Sequence, residues 1–229
     1  MKAIILAGGF GTRLRERVPN LPKPMAPVAG RPFLEYVLDK LIAGGIKDII
    51  LSVGYQADII MNHFGATYRN VSISYAHEKE PLGTGGAVAY AIDGIKNEPV
   101  LVLNGDTLLN IDYKELIQWY LNKPVQVAMV LRELIDVARY GAVQLDNEKV
   151  VGFLEKGQSG SGYINAGVYL IQSDVFNAVG LSGKFSFEID LLQQHCAALL
   201  PSAFLTDAYF IDIGIPQDYD RAQHELPKL

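Results

Sequence analysis

The sequence predicts an α/β fold with a mixed, mostly parallel central sheet and helices on both faces. Three observations carry that expectation. Strand-like and helix-like segments alternate over roughly the first 130 residues. The strand-like runs "KAIILA" and "PVLVLNGD" are apolar almost throughout, as expected of strands covered on both sides. After about Tyr140 the segments shorten into strands that read as partly antiparallel.

Taken in order, "KAIILA" is the first buried strand. "PFLEYVLDKLIAGG" follows as an amphipathic helix, with Leu34, Val37, Leu38, Leu41 and Ile42 on one face and Gly44 or Gly45 as its cap. "KDIILSVG" is the second strand and "QADIIMNHFG" a short helix. "VSISYAH" alternates like a strand, "TGGAVAYAIDGI" is a helix, "PVLVLNGD" a strand, "DYKELIQWYLN" a helix and "VQVAMVL" a further strand. In the second half, "GAVQLD", "KVVGFLEK" and "GYINAGVYLI" are strands and "FSFEIDLLQQHCAALL" is a single helix. "AFLTDAYFIDIG" carries one or two strands, and "IPQDYDRAQHEL" is the closing helix. "KGQSGSG" reads as a flexible loop. Little in the sequence divides the chain into independent domains, and one domain over 1–229 is expected.

Composition narrows the function. Of 229 residues, 49% are hydrophobic and 20% charged, which supports a sizeable core and argues against disorder. The net charge is −5, and no basic block accompanies an aromatic cluster, so nucleic acid is not an expected partner. The only cysteine, Cys196, lies in an apolar stretch; a disulfide scaffold is excluded and a reducing, cytoplasmic compartment is expected. The apolar stretch after Lys2 is too short for a signal peptide, and no run approaches the roughly 18 apolar residues of a membrane span. His63, His77, His195 and His224 show no metal-binding spacing, and no zinc site is expected.

The chemistry concentrates in a few motifs. Gly8, Gly9 and Gly11 follow the first strand, where open α/β sheets bind ligands and where glycine lets backbone N–H groups approach an anion. The P-loop string G-x-x-x-x-G-K-[ST] is absent, and Leu14 stands where a dinucleotide fingerprint needs its third glycine. Arg13 closes the loop with a cation suited to a polyphosphate. Ten residues on, Lys23 stands between Pro22 and Pro24, whose rings limit where it can go. In "EKEPLGTGGA", Gly83, Gly85 and Gly86 flank Thr84 ahead of a helix, and Thr84 is a candidate helix cap. "VLVLNGD" delivers Asp106 at the end of a buried strand, and "YFIDIGIPQDY" delivers Asp212 in the same manner.

"LAGGFGTRL" followed by "PKPMAPV" resembles the signature of the sugar-1-phosphate nucleotidylyltransferases, which join a nucleoside triphosphate to a sugar 1-phosphate and release pyrophosphate. The resemblance runs the length of the chain. It implies a Rossmann-like three-layer sandwich of the nucleotide-diphospho-sugar transferase type, with a nucleotide-binding part over about 1–130 and a sugar-binding part over about 131–229. It implies nucleotide binding by Leu6, Ala7, Gly8, Gly9, Gly11, Thr12, Arg13, Lys23, Glu80, Gly83, Thr84, Gly85 and Asn104. By the same resemblance, Arg13, Lys23 and Asp106 are catalytic, and Asp106 and Asp212 hold Mg²⁺. "RYGAV", "FLEKG" and "YINAGVY" match the order of the family's sugar site, which implies that Tyr140, Gly141, Glu155, Lys156 and Asn165 bind the sugar phosphate.

Within the family, "EKEPLGTGGA", "VLNGDTLLNID", "RYGAV", "KFSFEIDLL" and "YFIDIGIPQDY" most resemble enzymes that pair GTP with D-glycero-α-D-manno-heptose 1-phosphate. Those enzymes make GDP-heptose for bacterial capsule, lipopolysaccharide or S-layer glycans. Mannose-1-phosphate guanylyltransferases and N-acetylmuramate-1-phosphate uridylyltransferases remain open alternatives. So does a regulatory relative that binds nucleotide sugars without turning them over, although such relatives lose cations that this chain keeps. The hexapeptide repeats of the bifunctional acetyltransferase members do not occur in these residues. The family is often dimeric, so a homodimer is a possible assembly.

Overall fold

The chain threads one ten-stranded sheet, and its architecture follows from how the apolar residues alternate. The computed structural model describes residues 1–9, 11, 14, 17–157 and 159–229. Strand β1 (Lys2–Leu6) is followed by a short hairpin, β2 (Pro27–Val28) and β3 (Arg31–Pro32). Then come α1 (Phe33–Ala43), β4 (Asp48–Val53), α2 (Ala57–Phe64), β5 (Thr67–Tyr68), β6 (Val71–His77) and α3 (Gly83–Ala91). Next are β7 (Pro99–Asn104), β8 (Thr107–Leu109), α4 (Tyr113–Leu121), β9 (Val127–Leu134), β10 (Val143–Asp146), β11 (Lys149–Phe153) and β12 (Gly162–Gln172). The chain ends with α5 (Val175–Ala178), a π-helix at Phe187–Gln193, α6 (Cys196–Leu199), β13 (Ser202–Thr206), β14 (Phe210–Asp212) and α7 (Pro216–Glu225).

The large sheet runs in the order β10-β11-β13-β9-β12-β7-β1-β4-β6-β5. Strand β1 pairs in parallel with both β4 and β7, and β4 with β6, so the ends at Leu6, Val53, His77 and Asn104 face one way. Along β1, Ala3 and Ile5 join one buried cluster and Ile4 the other, each fully shielded from solvent. Period-two alternation in a strand buried on both faces produces two cores, one on each side of the sheet. Helices α1, α2, α4 and α7 fill the first core with Phe33, Leu38, Ile60, Leu116 and Ala222. Helix α3 and the 175–196 region fill the second with Val88, Phe176, Phe187 and Leu191. The three-layer, mixed sandwich is therefore as the sequence implies.

Two features differ from expectation. "FSFEIDLLQQHCAALL" forms a π-helix and then the short α6 rather than one helix. Its start is fixed from both ends. The Ser186 hydroxyl accepts from Ile189 N–H at 3.1 Å, while Asp190 accepts from Ser186 N–H at 2.6 Å. The second feature is the place of β12: antiparallel as the sequence suggests, it lies between β7 and β9 and so stitches the later residues into the middle of the sheet. Between Asn165 and Tyr169 it bulges, as strands often do beside a site. Among the described residues, no helix is long and apolar enough to cross a membrane.

Candidate active site

A cavity of about 610 Å³, within the usual range for small-molecule sites, opens at the carboxyl ends of the parallel strands. Leu6, Gly8, Gly9 and Gly11 form one wall, Ser52, Glu78, Gly83 and Thr84 the next, and Asn104 and Asp106 the third. Tyr169, Ser186, Phe187 and Glu188 close the side contributed by the second half of the chain. Thr12 and Arg13 lie outside the described residues.

The loop after β1 is tied to its neighbours by backbone. Ala7 N–H donates to Ser52 carbonyl at 2.8 Å, and Gly105 N–H donates to Leu6 carbonyl at 2.9 Å. Ala7 is wholly buried, so the cavity wall is made by the residues on either side of it. Leu14, where a dinucleotide loop would need glycine, is buried in the first core. Gly11 adopts φ +58°, and a Cβ built on it would stand 3.0 Å from Lys23 Cβ. The left-handed backbone and the close approach both suit glycine.

Lys23 heads a single 3₁₀ turn, Lys23–Met25, anchored by the buried Pro24 and Met25. Its side chain is only 10% exposed, and the ammonium lies 2.5 Å from Asp106 and 3.7 Å from Asp212. Sequence spacing could not pair those two acids; the fold does so with a second, two-stranded sheet. Strands β8 and β14 run antiparallel with Asp212 opposite Thr107, and Ile213 N–H donates to the Asp106 carbonyl at 3.0 Å. Gly214 N–H donates to Asp212 at 2.7 Å, and Arg139 approaches the same carboxylate at 3.8 Å. Arg139 is also paired with the buried Asp218 and lies over the Tyr140 ring.

Burial raises the pKa of Asp212, the charge on Asp106 raises it further, and Lys23 opposes both. Two carboxylates crowded around one cation form a site that favours positive charge. Among the described residues, no group of three or more His, Cys, Asp or Glu could hold a metal. A two-carboxylate site completed by phosphate oxygens and water is the kind Mg²⁺ adopts, and Asp106 with Asp212 fits it.

The glycine turn before α3 is built differently from expectation. Helix α3 starts at Gly83, and its cap is Leu82, with no side-chain capping bond. Thr84 does not cap: its hydroxyl accepts the backbone N–H of Phe187 at 3.0 Å, because the 183–187 segment docks onto this helix end. Gly85 and Gly86 donate their N–H groups to the Phe185 carbonyl at 3.0 and 3.3 Å. Glu80 is exposed and does not line the cavity. Glu78 does line it, two residues earlier, with its carboxylate accepting from Leu82 N–H at 2.9 Å and from the Ser52 hydroxyl at 3.4 Å. Two acids in "EKE" look alike in sequence; only β6, which ends at His77, decides which one turns inward.

The residues implied for the sugar form a second group. Gly141 (φ +81°) packs so closely on the 154–156 backbone that a Cβ would stand 2.7 Å from the Leu154 carbonyl oxygen. This brings Tyr140 and Gly141 beside Glu155 and Lys156, both exposed. Tyr140 stacks edge-on against Phe210, 5.9 Å away. None of these four lines the main cavity, whereas Tyr169, hydrogen-bonded to Asn165 at 2.7 Å, does.

The chain matches the family described as Nucleotidyl transferase over residues 2–228. It is 44% identical over 226 residues to a D-glycero-alpha-D-manno-heptose 1-phosphate guanylyltransferase from Aneurinibacillus thermoaerophilus, with 99% of this chain and 98% of the relative covered. A guanylyltransferase of the same description from Campylobacter jejuni is 44% identical, with coverage of 96% and 97%. The crystal structure of HddC from Yersinia pseudotuberculosis in complex with GMP-PN superposes with a TM-score of 0.86 at 38% identity, covering 98% of each chain. With the glycine loop, Lys23 and the two aspartates gathered on one strand edge, and a match that runs nearly end to end, the chain belongs to the nucleotidyl transferase family.

Proposed function

We propose that the protein transfers GMP from GTP to D-glycero-α-D-manno-heptose 1-phosphate, giving GDP-heptose and pyrophosphate. The observation that carries the reaction type is the convergence of Lys23, Asp106 and Asp212 at the mouth of a cavity floored by glycine backbone. The choice of base and sugar is supported by the near-full-length likeness to heptose 1-phosphate guanylyltransferases.

A phosphate oxygen of the sugar 1-phosphate attacks the α-phosphorus of GTP. One P–O bond forms, the α–β P–O bond breaks, and pyrophosphate departs with its electron pair. With a second pKa near ~6, the attacking phosphate is largely dianionic at neutral pH and needs no protein base. The obstacle is one anion approaching another, so catalysis is positioning and charge neutralisation. Lys23 supplies a fixed cation where the phosphates are joined, Arg13 stabilises the departing pyrophosphate, and Lys156 brings in the sugar phosphate. Asp106 and Asp212 would hold Mg²⁺, which when bound neutralises the triphosphate and favours in-line displacement. Glu78, with Ser52 beside it, presents a carboxylate to the base; guanine offers N1–H and a 2-amino group as donors, which uracil and adenine do not match.

The test is pyrophosphate release from a panel of nucleoside triphosphates with heptose and mannose 1-phosphates, in Mg²⁺. The expected result is the highest kcat/KM for GTP with the heptose 1-phosphate. A higher kcat/KM with UTP or dTTP would overturn the guanylyl assignment, and a higher value with mannose 1-phosphate would overturn the heptose assignment.

A further inference from the structure

We propose that helix α7 holds Lys23 in place against Asp212, and that Tyr219 and Gln223 are positioning residues for the transfer. The inference rests on the nucleotidyl-transfer reading above and goes beyond it, because it gives a role to a helix that does not line the main cavity. Lys23 is a long, flexible side chain, and fixing its ammonium costs rotamer freedom. The backbone that carries it must therefore be held firmly. Pro22 and Pro24 restrict the chain on either side of it. Beyond them the chain enters the hairpin of β2 and β3, which pairs only Pro27 with Pro32 and Val28 with Arg31. A two-stranded hairpin is marginal alone, and this one is far shorter than an ordinary strand pair. Its turn puts Ala29 at φ +47°, a left-handed backbone that alanine resists. The hairpin needs support from outside itself.

That support comes from α7. Tyr219 and Gln223 are one turn apart and share a face of the helix. The Tyr219 hydroxyl donates to the Pro27 carbonyl at 2.6 Å, and the Gln223 amide nitrogen donates to the same carbonyl at 3.0 Å. The Gln223 carbonyl oxygen accepts the N–H of Ala29 at 2.9 Å. Tyr219 is 9% exposed, so its bond is made where water does not compete freely.

The start of the same helix is tied to the acid. The chain runs from Asp212 through Gly214 into α7. A Cβ on Gly214 would stand 2.9 Å from Lys23 Nζ and 2.7 Å from Asp212 Oδ1, so this link lies against both charged groups. Asp218, buried in the first turn, pairs with Arg139, which reaches back to Asp212 at 3.8 Å. One helix thus grips the segments that carry the cation and the carboxylate. A shift of about 1 Å in such a pair can cost about 10²-fold in rate.

Kinetics and lysine labelling of Tyr219→Phe, Gln223→Ala, the double variant and Tyr209→Phe test the proposal. Tyr209→Phe is the control: its hydroxyl is hydrogen-bonded to Glu225 at 2.6 Å, at the far end of α7, and among the described residues none of its hydrogen bonds reaches the hairpin. In the double variant kcat should fall about tenfold or more, while KM for GTP and for the sugar 1-phosphate stays within about twofold. Each single variant should show part of that fall, and Tyr209→Phe should keep the wild-type kcat. Acetylation by N-acetoxysuccinimide, read by peptide mass spectrometry against the exposed Lys47 and Lys114, reports on Lys23 without turnover. With both hydrogen bonds to Pro27 gone, Lys23 should be labelled about tenfold faster in the double variant than in wild type. Labelling in Tyr209→Phe should match wild type. Unchanged kcat or unchanged Lys23 labelling in the double variant would overturn the inference. So would an equal change in Tyr209→Phe, which would mean a general loosening of α7. Should the double variant not fold, the two single variants carry the same comparison. Absence of pyrophosphate release by wild type would count against the functional reading, and the labelling would then decide the role of α7 alone.

Discussion

A Cβ placed on Gly9 would meet nothing within 4 Å, whereas one placed on Gly86 would stand 2.3 Å from the carbonyl oxygen of Gly183. Gly9 belongs to the loop after β1, and Gly86 to the turn that opens α3. In sequence, "GGFG" and "GTGG" look like two copies of one device for approaching a ligand. In the fold they serve different partners. The first leaves backbone bare toward the cavity at Gly9, while Cβ atoms at Gly8 and Gly11 would stand 3.1 Å from Gly54 N and 3.0 Å from Lys23 Cβ. The second makes room for another part of the protein: Cβ atoms at Gly83 and Gly85 would stand 2.5 Å from the Phe185 carbonyl oxygen and 2.3 Å from the Phe185 ring. Glycine richness therefore marks close approach, and only the fold says what approaches.

The largest expected effect belongs to the edge that the first loop serves. Asp106→Ala should lower kcat by about 10²-fold or more, as for loss of a major charge-stabilising group, while leaving the protein folded by its melting curve. Near wild-type pyrophosphate release would remove Asp106 from the reaction and with it the functional half of the comparison. Gly86→Ala probes the other turn. Alanine gains up to about 1 kcal/mol in helix propensity, but a Cβ that meets a backbone oxygen at 2.3 Å cannot be relieved by a rotamer. Overpacking of this kind costs about 1–3 kcal/mol, so the net effect should be a lower melting temperature, by about 2–4 °C per kcal/mol at this chain length. A stabilised Gly86→Ala would show that the 183–187 segment does not dock as tightly as its contacts indicate.

Thr84→Val keeps the side-chain volume and removes the acceptor for Phe187 N–H. Leaving that donor unpaired should cost about 1 kcal/mol or more in thermal or urea unfolding, and no loss would mean that the N–H finds water. Gly9→Ala completes the contrast. Its stability should match wild type within about 0.5 kcal/mol, while its KM for the nucleotide rises, because the added methyl group enters the cavity wall. A destabilised Gly9→Ala with unchanged nucleotide KM would reverse the assignment of the two turns.

Much of the fold was legible because the strongly periodic segments are also the buried ones. The alternation from β1 to β9 gives helices on both faces, and Ile4 against Ala3 and Ile5 gives the two cores. The pairing of Asp106 with Asp212 was not legible from the residues alone, because three-residue strands such as β8 and β14 carry too little pattern to be distinguished from a turn. Nor was the place of β12 between β7 and β9, since strand order is set by long-range packing. In "EKE" the motif draws attention to Glu80 while strand register turns Glu78 into the cavity. Glu188 was hidden within an apolar stretch that reads as one helix; its signal is the Ser186 and Asp190 pair around it, the side chains of a helix start. Local signals place elements, and the assignment of side chains to a site depends on register that only the packed sheet fixes.

The most direct test of the central claim is product identification by mass spectrometry after incubating the wild-type protein with GTP, D-glycero-α-D-manno-heptose 1-phosphate and Mg²⁺. The expected products are GDP-heptose and pyrophosphate in equal amounts, with both substrates required. Formation of GDP and inorganic phosphate instead, or no product with GTP bound, would contradict it.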